Sequence, residues 1–204
     1  MDREELVSFS LSEFCTNAYL LIDKERGEAI LIDAPGGIDK VLQFVDEKKL
    51  NLKGVIVTHG HIDHIAGLAK IDLPFYIHEK DREFLINPGL NLSSFFGRPV
   101  SISKKPVILK EGDVRIGSFC IEVLHTPGHT PGSVSFLVDG CLFSGDALFY
   151  GSIGRTDIPL ASYEVLIESI KRKILPCGDD VRVYPGHGPS TTIKRESDLN
   201  PFLR

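Results

Sequence analysis

Tryptophan is missing from this chain of 204 residues, and its single methionine is the first residue. Cysteine is sparse too. Cys15, Cys120, Cys141 and Cys177 lie far apart and form no Cys-x-x-Cys pair, which excludes a zinc knuckle and a thioredoxin-like redox motif. Buried reduced thiols are expected rather than two disulfides, with Cys177 partly exposed in its Pro176-Cys177-Gly178 turn. Long apolar runs are also lacking. The longest, Ala18 to Ile22, is far too short to span a membrane. The opening Met1–Glu5 is acidic and leads into no apolar stretch, so it does not read as a secretory signal. Nor is there an excess of positive charge: 23 basic against 28 acidic residues leave a net −5. That removes the electrostatic support for a nucleic-acid partner. No repeat, low-complexity tract or Ser/Gly linker divides the chain. One domain over 1–204, cytoplasmic, with neither nucleic-acid nor membrane partner, is therefore expected. An apolar share of 42% is enough for a full core.

What is present alternates in character. Leu6–Leu11, Ala18–Asp23 and Glu28–Asp33 read as strands. Val41, Leu42 and Val45 give helical spacing within Asp39–Leu50, and Gly54–Thr58 is an apolar strand of the buried kind. A helix is expected from Asp63, a strand at Phe75–His78 and a helix over Lys80–Ile86. Residues 87–105, with two prolines and two glycines, form an irregular stretch long enough for a lid or substrate loop. Strands follow at Pro106–Leu109, Val114–Ile116, Ile121–Thr126, Ser133–Val138 and Cys141–Ser144. Ser162 caps a helix with Leu166, Ile170 and Ile174 in line, and Val181–Tyr184 is the last strand. This order fits an α/β domain with two sheets and helices packed outside each.

Histidine is the residue in surplus. Of seven, five sit in short glycine-flanked loops that leave apolar strands: His59, His61 and His64, then His129, then His187. Asp63 and Asp146 occupy the same kind of position. In an extended segment, His59 and His61 point to one side. Asp63 and His64 begin a turn that faces the same space. Imidazole and carboxylate donors without thiolate suit zinc, iron, manganese or cobalt. Seven donors exceed the need of one tetrahedral ion and divide into two sites sharing a carboxylate. Two ions roughly 3.5–4 Å apart activate water and polarise a carbonyl or phosphoryl oxygen. His78 and His125 stand alone and read as structural, with His125 a possible outer partner of the site.

The set His59-x-His61-x-Asp63-His64, His129, Asp146 and His187 resembles the ligand motifs of the metallo-β-lactamase superfamily, in order and over residues 15–190. The resemblance implies an αβ/βα four-layer sandwich of two mixed sheets, with the metals at one edge. It implies His59, His61 and His129 for a first ion, Asp63, His64 and His187 for a second, and Asp146 as the bridge. Zinc is the first expectation for both, with iron or manganese as alternatives. His64 points to the broad hydrolase branch.

Thr126–Ser133, Ser144–Phe149, Gly154–Asp157, Tyr184–Pro189 and Asn200–Phe202 are similar to the glyoxalase II-like group. That implies thioester hydrolysis, of S-lactoylglutathione or a relative, by a metal-bridging hydroxide. Asp63 and Asp146 then serve catalysis, and Arg155 and Tyr150 bind an anionic substrate. Alternatively, Arg155 ties its own loop through Asp157. Asp157 stands where that group has an aromatic residue. With the chain ending at Arg204, the group's C-terminal helical domain and its glutathione contacts are not expected. Two other readings share the scaffold. One is a persulfide dioxygenase, a group that shares the ligand motif and the Gly154-Arg155-Thr156-Asp157 sequence and holds a single iron, here on His59, His129 and Asp146, although Pro185–Pro189 resembles the hydrolase version; the other is a metal held only for stability or sensing.

Overall fold

The computed structural model describes residues 4–204; the first three residues of the acidic opening Met1–Glu5 lie outside them. Among the described residues, fourteen strands and four α-helices follow one another. The first sheet holds β1 (Glu4–Leu11), β2 (Thr16–Asp23), β3 (Glu28–Ile32), β4 (Asn51–Ile56), β5 (Phe75–His78) and β6 (Val107–Leu109), side by side in that order. Its first three strands pair antiparallel and the rest parallel. The second sheet has the order β14 (Thr191–Thr192), β13 (Arg182–Pro185), β10 (Cys141–Gly145), β9 (Val134–Val138), β8 (Phe119–His125) and β7 (Gly112–Ile116). Only the β10–β13 pair is parallel there. A small hairpin, β11 (Leu148–Phe149) and β12 (Ser152–Ile153), stands apart.

The alternation of side chains along each strand builds the layers. On β2, Leu20 and Ile22 face one core, with Val41 of α1 (Asp39–Glu47) and Ile65 of α2 (Ile62–Ile65). Tyr19 and Leu21 face the other way, against Phe119, Phe136 and Phe143 of the second sheet. Leu142 and Val183 bury the outer face of that sheet against Leu166, Ile170 and Ile174. Three cores between four layers make the α/β/β/α sandwich. Each fully buried Ile or Leu stabilises it by roughly 1.5–3 kcal/mol.

The structure adds the short strands β11, β12 and β14, and departs from the sequence-based expectation in four further places. The helix expected over Lys80–Ile86 is a 3-10 coil, Glu79–Leu85. Its buried residues Asp81 and Phe84 are three apart, which a three-residue turn stacks. The helix capped by Ser162 is α3 (Tyr163–Ser169), followed by a wider π-turn at Ile170–Ile174. In a regular α-helix, position i+8 has drifted by about 80°, and the wider turn removes most of that. All three aliphatics of the line are thereby fully buried. A further helix, α4 (Ile193–Leu199), has no apolar periodicity because its buried residues are Ile193 and the carboxylate Glu196. Finally, buried thiols are found only at Cys141. Cys177 is half-buried, and Cys15 and Cys120 are exposed, in a turn and on an outward-facing strand position. None of the four is in a disulfide.

Candidate metal centre

Strand ends deliver every candidate ligand to one edge of the sandwich. His59 and His61 follow β4, and His61 caps the four-residue α2 that carries Asp63 and His64. His129 lies between β8 and β9, and Asp146 directly follows β10. His187 follows β13, to which β10 is paired through Gly145 and Pro185 after a bulge at Ser144. The bulge re-aims the strand end where Asp146 leaves it. Gly186 makes the close approach possible: a Cβ there would lie 2.1 Å from Asp146 Oδ1 and 2.7 Å from His64 Cε1. The first sheet then clasps the His187 loop. Asn17 N–H donates to Gly186 O at 2.7 Å, and Tyr19 Oη–H donates to Pro185 O at 2.6 Å.

Two trios of ligand atoms result, each within 4.8 Å: His59, His61 and His129, and Asp63, His64 and His187; a third group, His59, His64 and Asp146, overlaps both. Asp146 stands between them. Its carboxylate is 3.5 Å from His129 Nε2 in the first trio, and 3.4 and 3.6 Å from Nε2 of His64 and His187 in the second. Asp63 Oδ2 is 3.1 Å from His187 Nε2 and 3.5 Å from His64 Nε2.

Outer partners orient the rings. His64 Nδ1 meets Asp33 Oδ2 at 2.7 Å, His129 Nδ1 meets Arg155 O at 2.8 Å, and His187 Nδ1 meets Phe14 O at 3.2 Å. Thr58 Oγ1 donates to Asp33 Oδ2 at 2.8 Å, so it accepts from His59 Nδ1 at 3.2 Å. In these four rings Nδ1–H is taken and the Nε2 lone pair is left for the centre, the arrangement that metal-bound histidines adopt. His61 is reversed: its Nδ1 faces His129 Nε2 at 2.9 Å. Nε2 of His59, His61 and His64 and Oδ1 of Asp146 are buried without a hydrogen-bond partner. Orphaned lone pairs are costly in a protein interior, and a cation satisfies them. The donor set therefore fits a metal.

Charge is distributed unevenly. Burial pushes the His59, His61 and His129 imidazoles down, His61 to about 3, so they are neutral donors at neutral pH. Burial acts the same way on His64, but Asp63, Asp33 and Asp146 together raise it well above its ordinary value. For Asp146, burial is outweighed by His64, His129 and His187, which hold the carboxyl far below the usual range.

Above the ligands lies a cleft of about 270 Å³ walled by Phe14, Leu92, Phe96, Phe149 and Ile158, with Arg155 at its side. Phe14 and Phe96 meet edge to face at 4.8 Å. The irregular segment 87–105 thus supplies part of the wall, tied down by Asn91, whose Nδ2 donates to Phe84 O and Val100 O. Arg155 is exposed and forks onto Asp157, with both hydrogen bonds at 2.9 Å. Tyr150 does not line the cleft. Its ring lies under the Arg195 guanidinium at 3.5 Å, on the far side of the β11–β12 turn from Phe149. His78 and His125 stack on each other at 4.2 Å, and His125 Nε2 donates to Pro131 O. Sequence reasoning missed Asp33, Asp81 and the aromatic wall. Only Asp33 carried a signal, as a carboxylate closing an apolar strand before Pro35.

The fold and this donor set define a metallo-hydrolase sandwich. Residues 13–187 match the family model of the metallo-beta-lactamase superfamily, and the chain belongs to it. It is 39% identical to the probable metallo-hydrolase YqgX of Bacillus subtilis, over 92% of each chain. It is equally 39% identical to the hydroxyacylglutathione hydrolase GloC of Haemophilus influenzae, over 95% of each. Among solved structures, the BLEG-1 B3 metallo-beta-lactamase superposes with a TM-score of 0.93 at 39% identity, covering 98% of this chain and 99% of that one. The di-iron-bound form of TTHA1623 superposes at 0.86 with 34% identity, covering 97% and 100%. ETHE1 from Myxococcus xanthus follows at 0.80 with 31% identity, covering 97% and 83%.

Proposed function

We propose that this protein is a thioester hydrolase, acting on S-lactoylglutathione or a related small anionic thioester in the cytoplasm. It would hold two divalent ions, zinc in the first instance and iron or manganese as alternatives. The observation that carries the reading is the second trio. Asp63, His64 and His187 converge as fully as the three histidines do, with Asp146 between the sets. A single-iron dioxygenase would use only His59, His129 and Asp146; the segment Pro185–Pro189, which resembles the hydrolase version, weighs against it. Similarity to GloC, a hydroxyacylglutathione hydrolase, supports the thioester.

The residues divide the work. Bound ions supply a lowered water pKa and a polarised carbonyl. Asp146 and Asp63 fix the ligand geometry and balance the positive charge. Phe14, Leu92, Phe96, Phe149 and Ile158 exclude water and pack the apolar parts of the substrate. Arg155 can offer its planar fork to a substrate carboxylate, since its present partner Asp157 is as exposed as it is.

Metal analysis of purified protein, with two assays, tests the proposal. Two ions per chain and cleavage of S-lactoylglutathione, without oxygen uptake on glutathione persulfide, are expected. One iron per chain together with oxygen uptake overturns it.

A further inference from the structure

Asp81, like Glu196, is a carboxylate outside the ligand set with no exposed surface. It sits in the 3-10 coil after β5 and touches no ligand ring. Its oxygens instead join two loops. Oδ2 accepts from Gly60 N–H at 2.8 Å and from Thr130 Oγ1–H at 2.7 Å; Oδ1 accepts from Gly132 N–H at 2.6 Å. Gly60 separates His59 from His61. Thr130 follows His129, and Gly132 closes the same turn. One loop leaves the first sheet and the other leaves the second. A single side chain thus spans both sheets and holds together the two loops that carry the three-histidine trio.

Local sequence accommodates the contact. A Cβ on Gly132 would stand 2.5 Å from Asp81 Oδ1 and 2.6 Å from Asp81 N, so only glycine lets that N–H approach. Thr130 is fixed by Ser133, whose Oγ accepts from Thr130 N–H at 3.0 Å. Three donors on one buried carboxylate form a rigid node, because each bond lost leaves an unsatisfied polar group in the interior. The first trio lacks a carboxylate of its own to set the distance between His61 and His129. Their facing nitrogens, 2.9 Å apart, must be spaced by the backbone.

We infer that Asp81 is a positioning residue for the three-histidine metal position, its carboxylate fixing the His59–His61 loop against the His129 loop. The inference concerns metal binding and stands whichever reaction the centre performs.

Metal affinity and geometry test it directly, in the full chain, with zinc and cobalt(II) as probes. Competition against a chromophoric chelator is expected to show zinc affinity falling about tenfold or more in Asp81→Ala, in the range seen when outer partners of ligands are removed. The visible spectrum of the cobalt(II) protein is expected to change with it. Asp81→Asn keeps the shape but presents an amide N–H₂ toward one backbone donor, and is expected to fall between the two. Thr130→Val deletes one of the three donors and is expected to weaken zinc about threefold. A purely structural Asp81 would lower the melting temperature and leave affinity and spectrum alone. That result in Asp81→Ala overturns the inference. If Asp81→Ala does not fold, wild-type affinity and spectrum in both Asp81→Asn and Thr130→Val overturn it.

Discussion

The two trios at this centre are built on different principles. His59, His61 and His129 are all buried, with 1%, 2% and 4% of their surface exposed, and contain no carboxylate. Burial keeps the three imidazoles neutral, and loop geometry sets their spacing. Asp63, His64 and His187 sit nearer to solvent at one end, with 29% of the His187 side chain exposed. Carboxylates organise that set from inside and outside: Asp63 within it, Asp33 behind His64, and Asp146 alongside. One trio is thus pre-shaped by backbone, the other by charge. The lesson is that their weak points differ. The first should fail when its loops shift, the second when a carboxylate is lost.

Asp146 tests the comparison most severely, because it belongs to both sides. Its oxygens contact His129, His64 and His187. Asp146→Ala is expected to lower turnover by roughly a thousandfold or more, since the charge that two ions supply to the transition state amounts to several kcal/mol. Metal content should fall to one ion per chain or fewer. Two ions and near-normal turnover would show that the trios are independent.

Asp33 comes next; it contacts a ligand of the second trio directly and reaches the first only through Thr58. It accepts from His64 Nδ1–H and from Thr58 N–H and Oγ1–H, at 2.7, 2.7 and 2.8 Å. Asp33→Ala is expected to weaken one of the two metal positions by about 10–100-fold and spare the other. Stepwise zinc titration reads the two separately. Equal weakening of both would erase the distinction drawn above, because Thr58 also holds His59.

The same division decides how much was legible in the sequence. The seven candidate ligands, which the structure gathers at one edge of the sandwich, were legible because short loops at the ends of apolar strands announce them and the spacing His59-x-His61-x-Asp63-His64 is local. The strands of both sheets, β14 excepted, were readable from their apolar and β-rich runs. The groups that hold the ligands were not. Asp81 lies in Glu79-Lys80-Asp81-Arg82, which looks like an ordinary solvated charge run; only the fold carries it inward. Phe14 and Phe96 are 82 positions apart and meet through two irregular loops. The buried face of α4 consists of Ile193 and a carboxylate, so no apolar period marks it. Glu196 is held there by Thr191 Oγ1–H and Gly151 N–H, at 2.6 and 2.8 Å, contacts that only tertiary structure creates. The resemblance implied Tyr150 as a substrate contact, but its ring stacks on Arg195 while Phe149 lines the cleft.

Arg155 offers the smallest effect and separates ligand geometry from substrate binding. Its two ends serve different purposes. The carbonyl oxygen accepts from His129 Nδ1–H, while the guanidinium lies outside on Asp157. Arg155→Ala keeps the main chain, so His129 stays oriented and metal content should not change. A substrate carboxylate would lose one charge-assisted, forked contact, and KM for an anionic thioester should rise about tenfold with kcat altered far less. An uncharged thioester should be indifferent to the change. If the guanidinium serves only to tie its loop to Asp157, both substrates should keep their KM, and Asp157→Ala should match Arg155→Ala in every measurement. If instead Arg155→Ala loses metal, the side chain and not the carbonyl secures His129, and the first trio depends on its loops even more than the hydrogen bonds indicate.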